Sequence, residues 1–594
     1  MKPILLLAVV SGGVCFAQPA DSHGLDIPAA RPRLWWNAER LAQAQAWHAS
    51  TPFTPAANDY AGQAFRYQLT GETRYARAAI DYALSLLLTD AAANADDNRG
   101  ASDGARWHGE NLILIYDWCY DQMTPDERQT LLDRWNLYFD RLRKKAWGGP
   151  DMPQSNYFWG YLRNELLWAI ATWHENPMAP VFLEDALKTR WQDSFLPHAA
   201  GAALGGVAQE GSQYGRYILG YPVVSFITAG LMGRQPFHET AFFKSAVYAL
   251  LYATTPAPTT ALRNGIPSFE IFPFGDDQFF RLGRSAEARE FGDFMSAAAN
   301  LWKDRPIGGH ARQWLKLTGA ARAPYVRAVE QEIPDGDSST LPLDYYAPGP
   351  GVLYSRSAWG PAATLLHLQL GESNTQGGHE HRDLGNWQLW RNGRWLSRET
   401  AGYAGTDRLA GYAGAGVVEA NAGPPHNVLL FNGKGMAEQR NGAPLVKRLE
   451  SRPDYAYAAV DLTPVYRNDR VQWRRPERDN PVVARVEREF VFIRPLEALV
   501  IFDRVRSNGD EMPAETVTRT FLAHFEREPA PDGPGSYVGA NGAQVLRVTT
   551  LLPAEPVSRV VAEGGAVGQY RLEVDAGGAE QSYFLHVLQG REDG

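Results

Sequence analysis

Three histidines of this chain fall close together with acidic residues spaced around them. Gly378-His379-Glu380-His381-Arg382-Asp383 forms a His-x-His-x-Asp run. On a strand, alternate side chains share a face, so His379 and His381 point the same way. Glu399 follows in Arg398-Glu399-Thr400-Ala401-Gly402-Tyr403, and His426 in Pro424-Pro425-His426-Asn427. Two imidazoles, His381 and His426, and the Glu399 carboxylate on neighbouring strands can hold a divalent metal. Zinc is the first choice, tetrahedral with one position left for water. His379 would sit beside it. The plainer alternative is surface histidines, or core histidines with satisfied nitrogens. Histidine is scarce, at 13 in the chain, and this constellation takes three of them.

A second group precedes an apolar helix: Glu210-Gly211-Ser212-Gln213-Tyr214-Gly215-Arg216-Tyr217. Polar, aromatic and glycine-flanked, it fits a loop entering a cleft, although a Tyr before a helix is commonly a packing residue with a satisfied hydroxyl. A third group is Gln154-Ser155-Asn156-Tyr157-Phe158-Trp159-Gly160. Taken alone, its Asn156 reads as a helix N-cap.

These groups lie in two halves with different periods. From about Arg31 to Val329 apolar residues recur at helical spacing, as in Arg77 to Leu88 and Asn111 to Tyr120. Thr124-Pro125-Asp126-Glu127 reads as a helix start, with Thr124 as cap, Pro125 at the first position and Glu127 closing a capping box. Leu131 to Leu142 continues that helix. Leu162 to Trp173 and Tyr217 to Leu231 are apolar on nearly every side, so these helices pack between others. Many helical hairpins around a buried inner layer suggest an (α/α) toroid over residues 18–331. Glu332 to Gly351, rich in Pro, Gly, Asp and Ser, reads as a linker. Beyond it the period is two. Phe490 to Ile493, a turn at Arg494-Pro495 and Ala498 to Phe502 make a hairpin. Ala363 to Leu370 and Trp387 to Leu396 look similar, the latter with Asn392-Gly393 as its turn. Residues 352–594 are thus expected to form a large antiparallel β-sandwich, giving a multidomain α+β chain.

Together the pieces resemble the heparinase II/III-like polysaccharide lyases, including the alginate and oligoalginate lyases of that type. The resemblance spans most of the chain. It rests on Arg31-Pro32-Arg33-Leu34, Tyr116-Asp117-Trp118, Thr124 to Arg128, the Asn156 segment and Glu210-Gly211-x-x-Tyr214. It continues through His379-x-His381-x-Asp383, Glu399-x-x-Gly402-Tyr403, His426-Asn427 and the hairpin Arg488 to Asp503. Each piece is unspecific; their order and spacing are not. The resemblance implies a toroid followed by a β-sandwich with the active site between them. It makes Tyr214 and His379 catalytic, Asn156 the contact to a substrate carboxyl, and His381, Glu399 and His426 the metal ligands. Glu210, Arg216, Tyr217 and Tyr403 are expected to line the substrate site. Two departures stand out: Glu399 falls where such lyases usually carry Asp, and Tyr157 where many carry His. The second moves weight onto Tyr214 and His379.

The implied reaction is β-elimination on a uronic-acid-containing polymer. The C5 proton of a 4-linked uronate is α to a carboxylate, and its removal needs donors that stabilise the enolate-like intermediate. Asn156 and Arg216 suit that task. A base then takes the proton and an acid protonates the leaving O4. Tyr214 can do either if nearby cations lower its pKa, with His379 as partner. The metal would position loops and His379 without touching substrate. A glycoside hydrolase is the first rival. It needs two carboxylates around one bond, for which Glu110, Glu210 and Asp276-Asp277 are on offer, although the acidic pair after Gly275 reads as a loop or cap. A non-catalytic glycan-binding protein is the second rival.

Composition bounds these readings. The chain has 594 residues, 44% hydrophobic and 21% charged, in the range of folded globular proteins. Aromatics reach 12% with 18 Trp, which serve either core filling or sugar-ring stacking. The net charge of −9 argues against nucleic acid as a partner. An acidic polysaccharide remains open, because a local arginine cluster can reverse the field in one cleft. Arg467, Arg470, Arg474, Arg475 and Arg478 offer one, or else a solvated strand edge. Met1 to Ala17 has the basic start, apolar run and small terminal residue of a signal peptide, implying a periplasmic or secreted protein without a membrane span. Cys15 follows the bulky Val14, which disfavours lipoprotein processing. The mature chain then holds Cys119 alone and forms no internal disulfide.

Overall fold

The computed structural model describes residues 21–86, 99–144, 148–260, 267–276, 282, 288–371, 379–400, 402–403, 406–436, 443–467, 480–565 and 567–592, with backbone alone at 99–103 and 105. The proposed leader 1–17, Asp277, Arg470, Arg474, Arg475 and Arg478 lie outside these residues. Among them the first half is helical and the second is built of antiparallel sheets, an α+β chain.

The helix Pro125–Arg143 begins as its residues dictate. Thr124 Oγ1 accepts from the Glu127 N–H at 3.2 Å, and the Glu127 carboxylate accepts from the Thr124 N–H at 2.9 Å. Asn156–Thr172 is buried along its whole length, as its all-round apolar face requires. Its cap is Ser155, whose Oγ accepts from the Tyr157 N–H at 3.3 Å, and Asn156 is the first helical residue. The N-cap reading of Asn156 is thereby corrected. The apolar stretch after Tyr214 forms two helices, Gly211–Gly220 and Pro222–Leu231, because Pro222 has no N–H to continue the first ladder. The opening segment is tied to the helix Arg99–Trp118 by Asp117. Its Oδ1 accepts from Arg31 at 2.6 Å, and its Oδ2 from the N–H groups of Arg33 and Leu34 at 2.8 Å each. Those parts of the resemblance therefore build the fold.

Three main sheets are described. A five-stranded meander runs Asp344–Ala347, Val352–Arg356, Thr364–Gln369, Trp387–Arg391, Arg394–Ser397. An eight-stranded sheet has the long hairpin Val483–Ile493 with Ala498–Ser507 at its centre, and a four-stranded sheet contains Leu429–Phe431 and Arg519–Phe525. The turn at Asn392-Gly393 places both residues at positive φ, 42° and 79°, as a tight hairpin needs. Residues 332–351, expected as a linker, already contain the first strand of the meander. Tyr345 anchors it by donating to the carbonyls of Gly205 at 2.8 Å and Ser245 at 3.0 Å.

The meander is buried on both faces, and its residues alternate between two cores. Val352, Tyr354, Leu365, Trp390 and Trp395 join the core of the helical half, while Leu353, Leu366, Leu368, Leu389 and Leu396 join that of the other sheets. A sheet covered on both sides reads as a continuous apolar run. Most of the tryptophan excess is spent in these cores, with Trp35, Trp118, Trp159, Trp168, Trp191, Trp387 and others fully buried; Trp47, Trp173 and Trp359 are half-buried, and Trp107, at 54%, is the exposed one among the described residues.

Candidate active site

Three segments stack at the junction of the two halves. The helix bearing Tyr214 starts at Gly211 with φ +85°, where an added Cβ would lie 2.3 Å from the carbonyl oxygen of Phe274. Ser212 N–H donates to that oxygen at 2.9 Å. One residue on, Gly275 has φ +66°, and a Cβ there would meet the His379 carbonyl oxygen at 2.9 Å. Asp276 N–H donates to the same oxygen at 2.8 Å. The glycines let the helix start, the 273–276 loop and the 379–381 segment lie against one another.

The contact brings Tyr214 and His379 together from opposite halves. Their rings stack with centroids 3.6 Å apart at 11°. The Tyr214 hydroxyl lies 2.7 Å from that of Tyr403. Burial, and then the hydrogen bond with Tyr403, hold the Tyr214 phenol well above its usual range. Arg106 pulls downward, but desolvation outweighs it, so the condition of a cation-lowered phenol is not met.

Asp276, 1% exposed, holds two histidines with one carboxylate: Oδ2 lies 2.7 Å from His379 Nδ1 and Oδ1 lies 3.0 Å from His381 Nε2. An ionised carboxylate only accepts, so both ring nitrogens carry the hydrogen. Asp276 stands in a loop, as its place after Gly275 suggests, and from there its carboxylate reaches both rings.

On the helical wall, Oε2 of the Glu210 carboxyl group accepts from both the backbone N–H and the side-chain amide of Asn156, at 2.8 and 2.9 Å. Glu210 and Asn156 are both fully buried, and Glu210 fixes the Asn156 amide. Burial raises its carboxyl to about 8, against the lowering effect of the Asn156 hydrogen bonds. The amide oxygen of Asn156 is buried with no hydrogen-bond partner. Arg106, from the helix Arg99–Trp118, lies over the rings of Tyr157 at 4.3 Å and Tyr217 at 5.5 Å, and its charge acts on both Tyr214 and Glu210. Arg216 donates to the Tyr217 hydroxyl at 2.7 Å and stands 4.0 Å from the Glu290 carboxylate.

Behind His379, His381, Glu399 and His426 offer ligand atoms within 4.8 Å of one another, all three residues buried. His381 Nδ1 and His426 Nε2 are buried without hydrogen-bond partners. Two imidazole lone pairs and a carboxylate in a dry pocket are the donor set of a zinc-type site, so the residues fit a divalent metal. Burial holds the His426 imidazole down at about 3, keeping it neutral. For His381 burial acts downward as well, but the hydrogen bond and charge of Asp276 outweigh it and raise the value. A buried shell fixes these ligands. Asn386 Nδ2 donates to Glu399 at 2.5 Å, and its Oδ1 accepts from the Asn427 N–H at 3.0 Å. Arg488 donates to the carbonyls of Gly385 at 2.8 Å and Asn427 at 3.0 Å, while Asp503 pairs with its other nitrogens at 2.6 and 3.0 Å.

The structure thus joins Tyr214, His379 and Tyr403 in one cluster, Asn156 and Glu210 in a second, and the three ligand candidates in a third. Asp276 links the first to the third, and Arg106 stands between the first and second. Neither was singled out from sequence as a functional residue of such a site.

No family profile and no curated protein matches the sequence. Solved structures do. The fold is similar to that of the heparan sulfate lyase HepC from Pedobacter heparinus, with a TM-score of 0.57 and 13% identity over 94% of this chain and 78% of that one. A heparinase III gives 0.58 and 12% over 96% and 87%. The chondroitin AC lyase of Streptomyces coelicolor A3 gives 0.50 and 14% over 95% and 80%. The chain therefore has a heparinase-like polysaccharide lyase fold over nearly its whole length.

Proposed function

We propose that this protein is a polysaccharide lyase that cleaves a uronic-acid-containing polysaccharide by β-elimination and leaves a 4,5-unsaturated uronate. The observation that carries this reading is the stacked pair of Tyr214 and His379, one from each half, with Arg106 near enough for its charge to act on Tyr214. In this reading the helices form an (α/α) toroid and the sheets a β-sandwich, the substrate lies across their junction, and the enzyme works in the periplasm or outside the cell.

His379 carries its hydrogen on Nδ1, facing Asp276, which leaves Nε2 to take the C5 proton. Tyr214 keeps its proton at rest, because burial raises its pKa, and so suits delivery to the leaving O4. Tyr403, hydrogen-bonded to Tyr214, can return a proton to it afterwards. Asn156 and Arg106 supply the donors that offset charge on the substrate carboxylate. A divalent metal on His381, Glu399 and His426 would supply a fixed positive charge that orders the sheet loops behind His379.

Hydrolysis has less support. Asp276 is held between two imidazoles and Glu210 by Asn156, and Glu110 accepts from Tyr325 at 3.3 Å and lies 3.9 Å from Arg163. Each is committed to a contact of its own.

The test is a panel of uronate polymers followed by the ultraviolet absorbance of the unsaturated product. Tyr214→Phe should lower turnover by roughly 10²–10⁴-fold with little change in substrate affinity or melting temperature, the usual contribution of a general acid or base. Products that show only new reducing ends and no absorbance would point to hydrolysis. Wild-type turnover by the variant would remove Tyr214 from the proton path.

A further inference from the structure

We propose that Asp276 is the positioning residue that ties the metal-binding imidazole to the reacting one, so that one carboxylate sets the tautomers of both His381 and His379. The inference rests on the lyase reading for its catalytic half and on geometry alone for its metal half.

Asp276 comes from the helical half, and the two histidines it contacts come from the sheet half. It makes three contacts to a three-residue segment: its N–H to the His379 carbonyl at 2.8 Å, Oδ2 to His379 Nδ1 at 2.7 Å, and Oδ1 to His381 Nε2 at 3.0 Å. The flanking Gly275 makes this approach possible, since a side chain there would strike the His379 carbonyl. With Nε2–H of His381 donated to Asp276, the lone pair sits on Nδ1. That atom is buried and without a hydrogen-bond partner, and His381 is one of the three residues whose ligand atoms converge. With Nδ1–H of His379 donated to the other oxygen, the lone pair sits on Nε2. A carboxylate that orients a metal-ligating histidine is a familiar support, and its loss typically lowers metal affinity or activity by about 10–100-fold. Here the second oxygen extends the support to the catalytic ring. The metal need not reach the substrate, because order at His381 passes to His379 through one rigid, buried group.

The two oxygens make the idea separable from simple packing. Asp276→Ala removes both acceptors. Asp276→Asn keeps the shape but offers one acceptor and one donor. A donor facing either ring forces its hydrogen to the opposite nitrogen, which blocks the metal lone pair of His381 or the reactive lone pair of His379. The experiment uses the full-length protein loaded with zinc. It measures zinc affinity by competition with a chromogenic chelator, and kcat and KM at saturating zinc. In Asp276→Ala, zinc affinity and kcat should each fall by about 10–100-fold with KM little changed. In Asp276→Asn one of the two should fall to that extent while the other stays within about threefold of wild type, the split that the two-oxygen arrangement of carboxylate support demands. The proposal is overturned if Asp276→Ala keeps wild-type zinc affinity. It is also overturned if that variant keeps wild-type kcat once zinc is saturating, or if the two variants lose both properties equally alongside a lowered melting temperature. A wild-type protein that makes no unsaturated product from any polymer refutes the lyase reading instead, and the zinc competition, which needs no substrate, still decides the metal half.

Discussion

Glu210 is a carboxyl kept neutral so that an amide can be held still. Its value is about 8 in the folded chain against an ordinary 4.5, chiefly because it is buried. Between those values the folded protein keeps a proton that the unfolded chain has released. Stability from this group is thus fully present below about pH 4.5 and is lost as pH rises towards 8, at about 1.4 kcal/mol per pH unit. Glu210→Gln mimics the protonated form and should remove that slope. Urea unfolding between pH 5 and 8 should show the variant gaining on the wild type, and parallel stability curves would refute the assignment. Residues at this scale were legible from sequence when their type was scarce and their spacing short: His379, His381 and His426 drew notice that way, and Tyr214 through its motif. Arg106 was not legible, and Asp276 drew notice only as a carboxylate for the rival hydrolase. Asp276 meets its histidines across sequence separations of 103 and 105 residues, which no local pattern encodes. Arg106 sits in a helix whose other residues announce only a helix.

Elements were read best where their ends carry local chemistry. The capping box at Thr124, the Asn392-Gly393 turn and the hairpin from Val483 to Ser507 all stand where their residues placed them. The cap at Ser155 was missed because Ser155 and Asn156 are both good caps, and only the distant Glu210 decides between them. Within 332–351 the strand Asp344–Ala347 was not legible, because Pro and Gly mark a turn between strands as readily as a linker. The hairpin also does more than pair. Its Arg488, with Asp503 behind it, grips the backbone after Asp383 and after His426. Arg488→Met leaves Asp503 as a buried charge without its cation, a loss of about 3–5 kcal/mol. Both loops should loosen with it. Equilibrium unfolding and zinc competition should therefore fall together in this variant, and an undiminished zinc affinity would show that the clamp does not reach the ligands.

For the molecule as a whole, the proposed metal lies close to the seam between the halves, so its removal should be felt globally. A ligand that binds only the folded state stabilises by about 2.7 kcal/mol at a hundred times its dissociation constant. Dialysis against a chelator should lower the melting temperature of the full chain, and zinc should restore it. No change on chelation would argue against occupancy in solution. That seam is also where the chain's two cores meet, with Tyr354, Leu365, Trp390 and Trp395 of the meander completing the helical core. A ribosome makes the helices first. Until residue 395 has emerged, the nascent helical half carries an unfilled apolar face of the kind that aggregates or recruits a chaperone. Tyr214 and Asp276 wait for most of that interval, until His379 and His381 emerge. The proposed centre is therefore assembled only after the helices are made, and a product cut short before the meander would be both sticky and without its histidines.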